Sequence, residues 1–221
     1  MNAYPHLSEN NSKLGKLVAG LNLPALTTCR PDAPCMKTCY ACHGRFNMFK
    51  NIKNALMNNL KAYLDNPEYF FEKIIIEMKM SGYRWFRWHS SGDIPNYDYL
   101  VGMIHVANAL PEVQFLCFTK KYEIVNSYLD LHKEFPKNLH MVFSRWGEYP
   151  VPNPYELPEA HIRFRKENGI ENNSVIPADA HICEGGKEVV PGHKYTCSNC
   201  VNVTGNCWKM KSGESVVFGQ H

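Results

Sequence analysis

After Gly44, apolar side chains recur at Phe46, Phe49, Ile52, Leu56, Leu60 and Tyr63. This three-and-four spacing lines one face of a helix. The pattern predicts a helix ending near Asp65-Asn66-Pro67, because proline cannot continue the backbone hydrogen bonding. A second helical pattern runs from Glu68 to Met80 and is stopped by Ser81-Gly82. From Tyr83 the period changes to alternation, and the chain reads as strand 83–88, helix from about Asn96 to Asn108, strand 113–119, helix 122–134 and strand 139–144. Upstream, Leu21-Asn22-Leu23-Pro24-Ala25-Leu26-Thr27 reads as a short strand or extended lead-in. Downstream, Pro150, Pro152, Pro154 and Pro158 interrupt regular structure, and Val175-Ile176-Pro177-Ala178 predicts one further strand.

Short apolar strands joined by helices of roughly ten or more residues predict an α/β fold with a parallel sheet and helices on its outside. Such a sheet is either open or curled into a full or partial (β/α) barrel. The 221 residues suffice for one sizeable domain. Within it we expect a core over residues 1–175 and a cysteine-rich, metal-binding C-terminal extension over 176–221. No apolar run approaches the roughly 18 residues of a membrane span. The opening Met1-Asn2-Ala3-Tyr4-Pro5-His6 lacks the basic and apolar regions of a signal peptide. The expectation is a cytoplasmic protein of a bacterial host cell. A net charge of +3 is too small to argue for nucleic acid and does not exclude it. The aromatic clusters at 83–88 and 115–118 read as buried strands before they read as base-stacking platforms.

Eight of the nine cysteines fall into two tight groups: Cys29, Cys35, Cys39 and Cys42 near the start, and Cys183, Cys197, Cys200 and Cys207 near the end. A secreted disulfide protein scatters its cysteines, whereas a reducing compartment keeps grouped thiolates as metal ligands. Cys35, Cys39 and Cys42 form C-x3-C-x2-C. Three thiolates on one loop hold three irons of a [4Fe–4S] cluster and leave the fourth iron open. Four thiolates would close the cluster, or bind zinc in a purely structural knot. The second group contains one C-x2-C and unequal intervals, with Gly185, Gly186, Gly192 and Gly205 giving the loop freedom. It is a complete ligand set for a closed [4Fe–4S] cluster or for zinc, and His181 and His193 are alternative donors.

The first spacing resembles the radical SAM superfamily, in which such a loop follows the first strand of a partial barrel. The resemblance implies that S-adenosylmethionine binds the open iron and is cleaved reductively, with electrons from a reductant such as ferredoxin or flavodoxin. Arg87-Trp88-His89-Ser90-Ser91-Gly92-Asp93 is similar in place and chemistry to the superfamily's turn that receives the methionine ammonium. That makes Ser90, Ser91, Gly92 and Asp93 candidate cofactor ligands, the alternative being an N-cap role for Ser91 or Asp93 on the next helix. Lys120 and Arg145, leaving two further strand ends, are candidates for the cofactor carboxylate. His89 is the candidate proton donor, with a structural role as its alternative, and Cys117 reads as a small buried residue.

Leu23-Pro24-Ala25, Cys29, Cys35, Cys39-Tyr40-Ala41, Trp88-His89-Ser90-Ser91-Gly92-Asp93, Phe118-Thr119-Lys120 and Cys207-Trp208 together resemble a family of phage and mobile-element proteins, gene product 88. The resemblance spans most of the chain and implies Cys29, Cys35 and Cys39 as the first ligand set, whereas the radical SAM spacing implies Cys35, Cys39 and Cys42. The functional expectation is a radical SAM-like enzyme with a second, auxiliary [4Fe–4S] cluster. The alternatives are a metal-stabilised phage nucleic-acid-binding or regulatory protein and a two-cluster electron carrier. No residue pattern identifies the substrate.

Overall fold

The computed structural model describes residues 4–43, 48–164, 175–187, 195–202 and 207–220. Its strands are β1 (Val18–Leu21), β2 (Trp85–Trp88), β3 (Gln114–Thr119), β4 (Leu139–Arg145), β5 (Glu159–Arg163), β6 (His181–Ile182) and β7 (Ser215–Gly219). All of them pair in parallel in one sheet of order β1-β2-β3-β4-β5-β7-β6. The first five strands thus lie side by side in chain order. Right-handed crossovers between successive neighbours put every connecting helix on the same face.

Those helices are α2 (Lys50–Asp65), α3 (Pro67–Ser81), α4 (Tyr97–Ala109) and α5 (Tyr122–His132), and the one-turn α1 (Tyr40–His43) lies within the first cysteine group. The side chains that stop and start them are visible in the sequence. Asn66 Oδ1 accepts from Tyr69 N at 3.0 Å with Pro67 opening α3, and Gly82 closes that helix in the left-handed region at φ 70°. Asn96 Oδ1 caps α4 through Tyr99 N at 2.9 Å.

Strand residues alternate between two cores. Leu21, Phe86, Trp88, Phe115, Cys117, Met141 and Phe143 pack toward the helices with Phe70, Phe71, Ile74 and Tyr99. Val18, Leu116, Val142, Ala160 and Val216 face the other way and are covered by Leu14, Val201 and Trp208. Burial on both faces explains why β2 to β4 read as dense apolar runs. Among the described residues β1 and β6 are the two edges, so the sheet is open and not a closed barrel.

The structure departs from the sequence expectations at three places. The first strand is Val18–Leu21 and not Leu21–Thr27: Pro24 has no N–H to give a ladder, and Leu26 turns the chain at φ 67°. Val175 to Ala178 is no strand. Ala180 N donates to Pro177 O at 3.1 Å, a turn, and the strand begins at His181. Helix α2 starts at Lys50, and Phe46 lies outside the described residues. Strands β5 and β7 continue the sheet beyond β4, and β5 carries Glu159, His161 and Arg163 at alternate positions.

Candidate metal centres and the cavities they line

The turn after β2 is a seat for the cysteine loop. Leu23 N donates to Ser91 O at 3.0 Å, and Ser91 Oγ returns a bond to Leu23 O at 3.0 Å. Ser91 N donates to Asn22 Oδ1 at 3.1 Å, and Asp93 N to Thr28 Oγ1 at 3.0 Å. Tyr40, inside the cysteine motif, donates its hydroxyl to Ser90 O. Gly92 stands at φ 80°, and a Cβ there would meet Leu23 O and Thr28 Oγ1 at 2.7 Å. The close approach that Gly92 permits is therefore to the cysteine loop itself.

Asp93 ties the seat to the next strand. Its carboxylate accepts from Thr119 Oγ1 at 2.6 Å, Lys120 N at 2.9 Å and Ile94 N at 2.8 Å. Burial pushes the carboxyl pKa up, and those three bonds pull against it. The cap of α4 is Asn96, so neither Ser91 nor Asp93 takes the capping role. Arg30 pins the other side of the loop: it forks onto Asp32 at 2.7 and 3.1 Å, reaches Glu123 at 3.1 Å, and lies over the Tyr122 and Tyr149 rings. No motif in the sequence marks Arg30.

Cys29, Cys35 and Cys39 line one cavity of about 190 Å³ together with Ser90 to Asp93 and Lys120. Its position at the carboxyl ends of β2, β3 and β4 is where parallel α/β folds gather ligands. Ser90 Oγ is buried there and has no hydrogen-bond partner among the described residues. Cys42 does not line this cavity, yet it is close enough to Cys39 and Cys35 that burial and then those two thiols raise its pKa. Cys29 is pushed up to about 11, first by burial and then by Asp93.

One predicted residue falls elsewhere, and another lines the cavity while bonded internally. Arg145 is clamped by Glu159, its Nε and Nη2 donating at 2.6 and 3.1 Å, and does not line the cavity; its neighbour Ser144 does. Side chains alternate along a strand, and the cation at this strand end is on the far side. His89 lines the cavity and its buried ring packs toward the helices, with Nε2 at 3.1 Å from Tyr99 Oη and Nδ1 at 3.9 Å from Cys117 Sγ. Burial lowers its pKa to about 3, so the ring is neutral. Cys117 is fully buried, as its place in the strand predicts.

The second group is held by packing and by the N-terminal segment. Its C-x2-C forms α6 (Cys197–Cys200), capped by reciprocal Thr196 and Asn199 bonds. Cys197 N donates to Lys13 O at 3.0 Å, Ser198 N to Leu14 O at 2.8 Å, and Leu17 N to Ser198 Oγ at 2.8 Å. Trp208, next to Cys207, is 2% exposed, stacks edge-on with Trp85 and donates Nε1 to Phe86 O at 3.3 Å. Cys183, Cys197, Cys200 and Cys207 all line a second cavity of about 70 Å³. Burial pushes Cys200 up to about 11 and Cys207 higher still, the other thiols adding to it. His181 lines the same cavity, whereas His193 lies outside the described residues. Lys13, Arg87, Phe118 and Phe218 line both cavities, so the two adjoin across the sheet face opposite the helices.

Residues 3–209 match the family described as gene product 88. The chain belongs to the gene product 88 family. No curated protein and no solved structure matches it. The match covers strands β1 to β6, the Ser90 to Asp93 seat and both cysteine groups of this gene product 88 chain. No described helix is long and apolar enough to cross a membrane.

The donor chemistry of both groups suits a thiophilic metal. All nine cysteines are thiols without a disulfide. Among the described residues no three donors already stand at ion-binding distance. Burial and neighbouring thiols raise the pKa of Cys29 and Cys42 in the first group and of Cys200 and Cys207 in the second, and a bound cation would replace the protons of its thiol ligands.

Proposed function

We propose that this protein is an iron–sulfur enzyme of radical SAM type, with a [4Fe–4S] cluster on the first cysteine group and an auxiliary [4Fe–4S] cluster on the second. The reading is supported by one juxtaposition: Cys29, Cys35 and Cys39 share a cavity with Ser90, Gly92, Asp93 and Lys120, at the carboxyl ends of parallel strands laid down in chain order. Such a sheet is the open counterpart of a partial (β/α) barrel.

A cluster with an open iron supplies one-electron reduction of the sulfonium of S-adenosylmethionine. The chain's own residues bind and orient. Ser90 Oγ, buried and without a partner among the described residues, would donate a hydrogen bond to the bound cofactor. The Asp93 carboxylate is occupied by its three bonds and acts as a positioning residue that fixes Lys120 and the cysteine loop. Lys120 lines the cavity and would meet a carboxylate of the bound cofactor. His89, neutral and tied to Tyr99, holds the strand end and moves no proton. The first cluster takes Cys29, Cys35 and Cys39, the thiols that reach the cavity, and Cys42 is the spare thiol.

Anaerobic reconstitution followed by iron and sulfide analysis tests the metal, with about eight irons per chain expected for two cubanes. Addition of S-adenosylmethionine to the reduced protein should perturb the paramagnetic spectrum of the cluster and yield 5′-deoxyadenosine. Zinc in place of iron, or an unperturbed spectrum without that product, overturns the enzyme reading. Cys42→Ser should keep the first cluster and Cys29→Ser should lose it. A requirement for both thiols would instead close the cluster and favour an electron carrier.

A further inference from the structure

The sheet face opposite the helices is apolar at Leu116, Val142, Ala160 and Val216, and Arg87 of β2 interrupts it. A charged residue flanked by Phe86 and Trp88 in a buried strand is unusual. Arg87 is 8% exposed, and its Nε is buried with no hydrogen-bond partner among the described residues. Among the described residues no carboxylate pairs with it, and its guanidinium rests on the Phe118 ring at 4.8 Å. A cation–π contact offsets only part of what it costs to bury a cation. Among the described residues no carboxylate supplies the counter-charge, the Cys207 thiol being an acidic group near enough to feel it, and Arg87 lines both cavities where they adjoin.

We infer that Arg87 anchors a carboxylate or phosphate group of a small-molecule substrate held in the joined cavity. A guanidinium presents a planar fork of donors that fits a planar or tetrahedral oxyanion. Its position one residue before the end of β2 sets the anion deeper than Ser90 and Lys120. The substrate would then lie between the two thiol groups, in reach of chemistry started at the first. The word substrate rests on the enzyme reading above, whereas the anion site itself does not.

The full chain, purified anaerobically with its bound metal, is titrated with inorganic phosphate and with succinate at constant ionic strength. Tryptophan fluorescence reports binding, since Trp146 lines the cavity, and thermal melting reports stability. Saturable binding by the native chain is expected, with at least a tenfold loss in Arg87→Met and a smaller loss for Arg87→Lys. Without anion, Arg87→Met should melt no lower than the native chain, because the lost Phe118 contact is offset by no longer burying a cation without a carboxylate partner among the described residues. Equal responses in native and Arg87→Met protein, or no saturable response in the native chain, overturn the proposal. Loss of bound metal together with a lower melting point in Arg87→Met also overturns it, by making Arg87 a structural partner of the second thiol group. S-adenosylmethionine binding separates the two possible sources of the anion. If it survives in Arg87→Met, the anion belongs to the substrate; if it falls in parallel with phosphate, the anion is the cofactor carboxylate and the assignment to substrate fails. A native chain that binds phosphate through Arg87 but not S-adenosylmethionine would retain the anion site while the enzyme reading falls.

Discussion

The two thiol groups are held by different kinds of contact. The first hangs on polar bonds: Thr28 to Asp93, Leu23 to Ser91, Tyr40 to Ser90, and Arg30 to Asp32 and Glu123. The second sits on a slab of packed side chains, with Trp208 buried against Trp85 and the Phe86 carbonyl. Polar clasps are directional, so they set a loop relative to a neighbouring ligand site. Packing against a sheet face is broad, and it ties a metal centre to the stability of the whole core. The first arrangement suits a centre that must present an open face. The second suits one that is closed.

The largest test of this contrast removes the slab. Trp208→Ala should lower unfolding stability by about 3–5 kcal/mol, the usual range for a buried tryptophan. Urea denaturation of the metal-free protein measures it. Cys183, Cys197, Cys200 and Cys207 should become reactive toward a thiol reagent first, with Cys29, Cys35 and Cys39 little changed. Equal exposure of both groups would mean that packing does not separate them.

The converse experiment acts on the seat. Gly92→Ala puts a methyl group within 2.7 Å of the Leu23 carbonyl at a left-handed φ of 80°. The loss should be about 1–3 kcal/mol, the scale of backbone strain at such positions. The thiol-reactivity pattern should reverse, with the first group exposed and the second unchanged. A variant that leaves the reactivity of Cys29, Cys35 and Cys39 unaltered would show that the loop is held elsewhere, through Arg30.

How much of this could be read from the chain differs between the two regions. The helices α2 to α5 and the strands β2 to β4 follow from periodicity because each has one long apolar face or is buried on both. The Ser90 to Asp93 turn is legible as a site because glycine and an acid follow a strand end. Its partners are not, since Thr28, Thr119 and Tyr40 become neighbours only through the sheet, and a single threonine carries no local signal. Strands β5, β6 and β7 are hidden by length and by polar alternation at Glu159, His161 and Arg163. Arg145 and Ser144 show the limit of strand-end reasoning: adjacent residues point to opposite faces, and only the register decides which one faces the cavity. Arg87 was within reach, as a charge inside an otherwise aromatic strand.

A smaller effect isolates the clasp from the strand ends it joins. Thr119→Val removes the hydroxyl that donates to Asp93 at 2.6 Å and leaves a buried carboxylate short of one donor. The expected loss is about 1–3 kcal/mol. Asp93→Asn in the Thr119→Val background should cost less than in the native chain, because the two changes act on one bond. Additive losses in that double-mutant cycle would break the claim that Thr119 and Asp93 work as a unit.

The weakest effect is a pH slope, and it is specific to the strand that carries the first seat. Burial holds His89 at about 3 and His140 at about 4, against about 6.5 in an unfolded chain. Both folded-state values are depressed, so below pH 6.5 the unfolded chain binds protons that the folded protein refuses. Stability contributed by keeping these rings neutral is therefore complete above about pH 6.5 and is lost as the pH falls toward about 4. His89→Asn keeps a residue type tolerated at φ 54° and removes one of these titrating rings. Its stability, measured by urea unfolding between pH 6.5 and 5, should fall less steeply than that of the native chain. Identical slopes would mean that His89 is charged in the folded protein, which would free it from Tyr99 and return it to the list of groups able to donate a proton beside the first cysteine group.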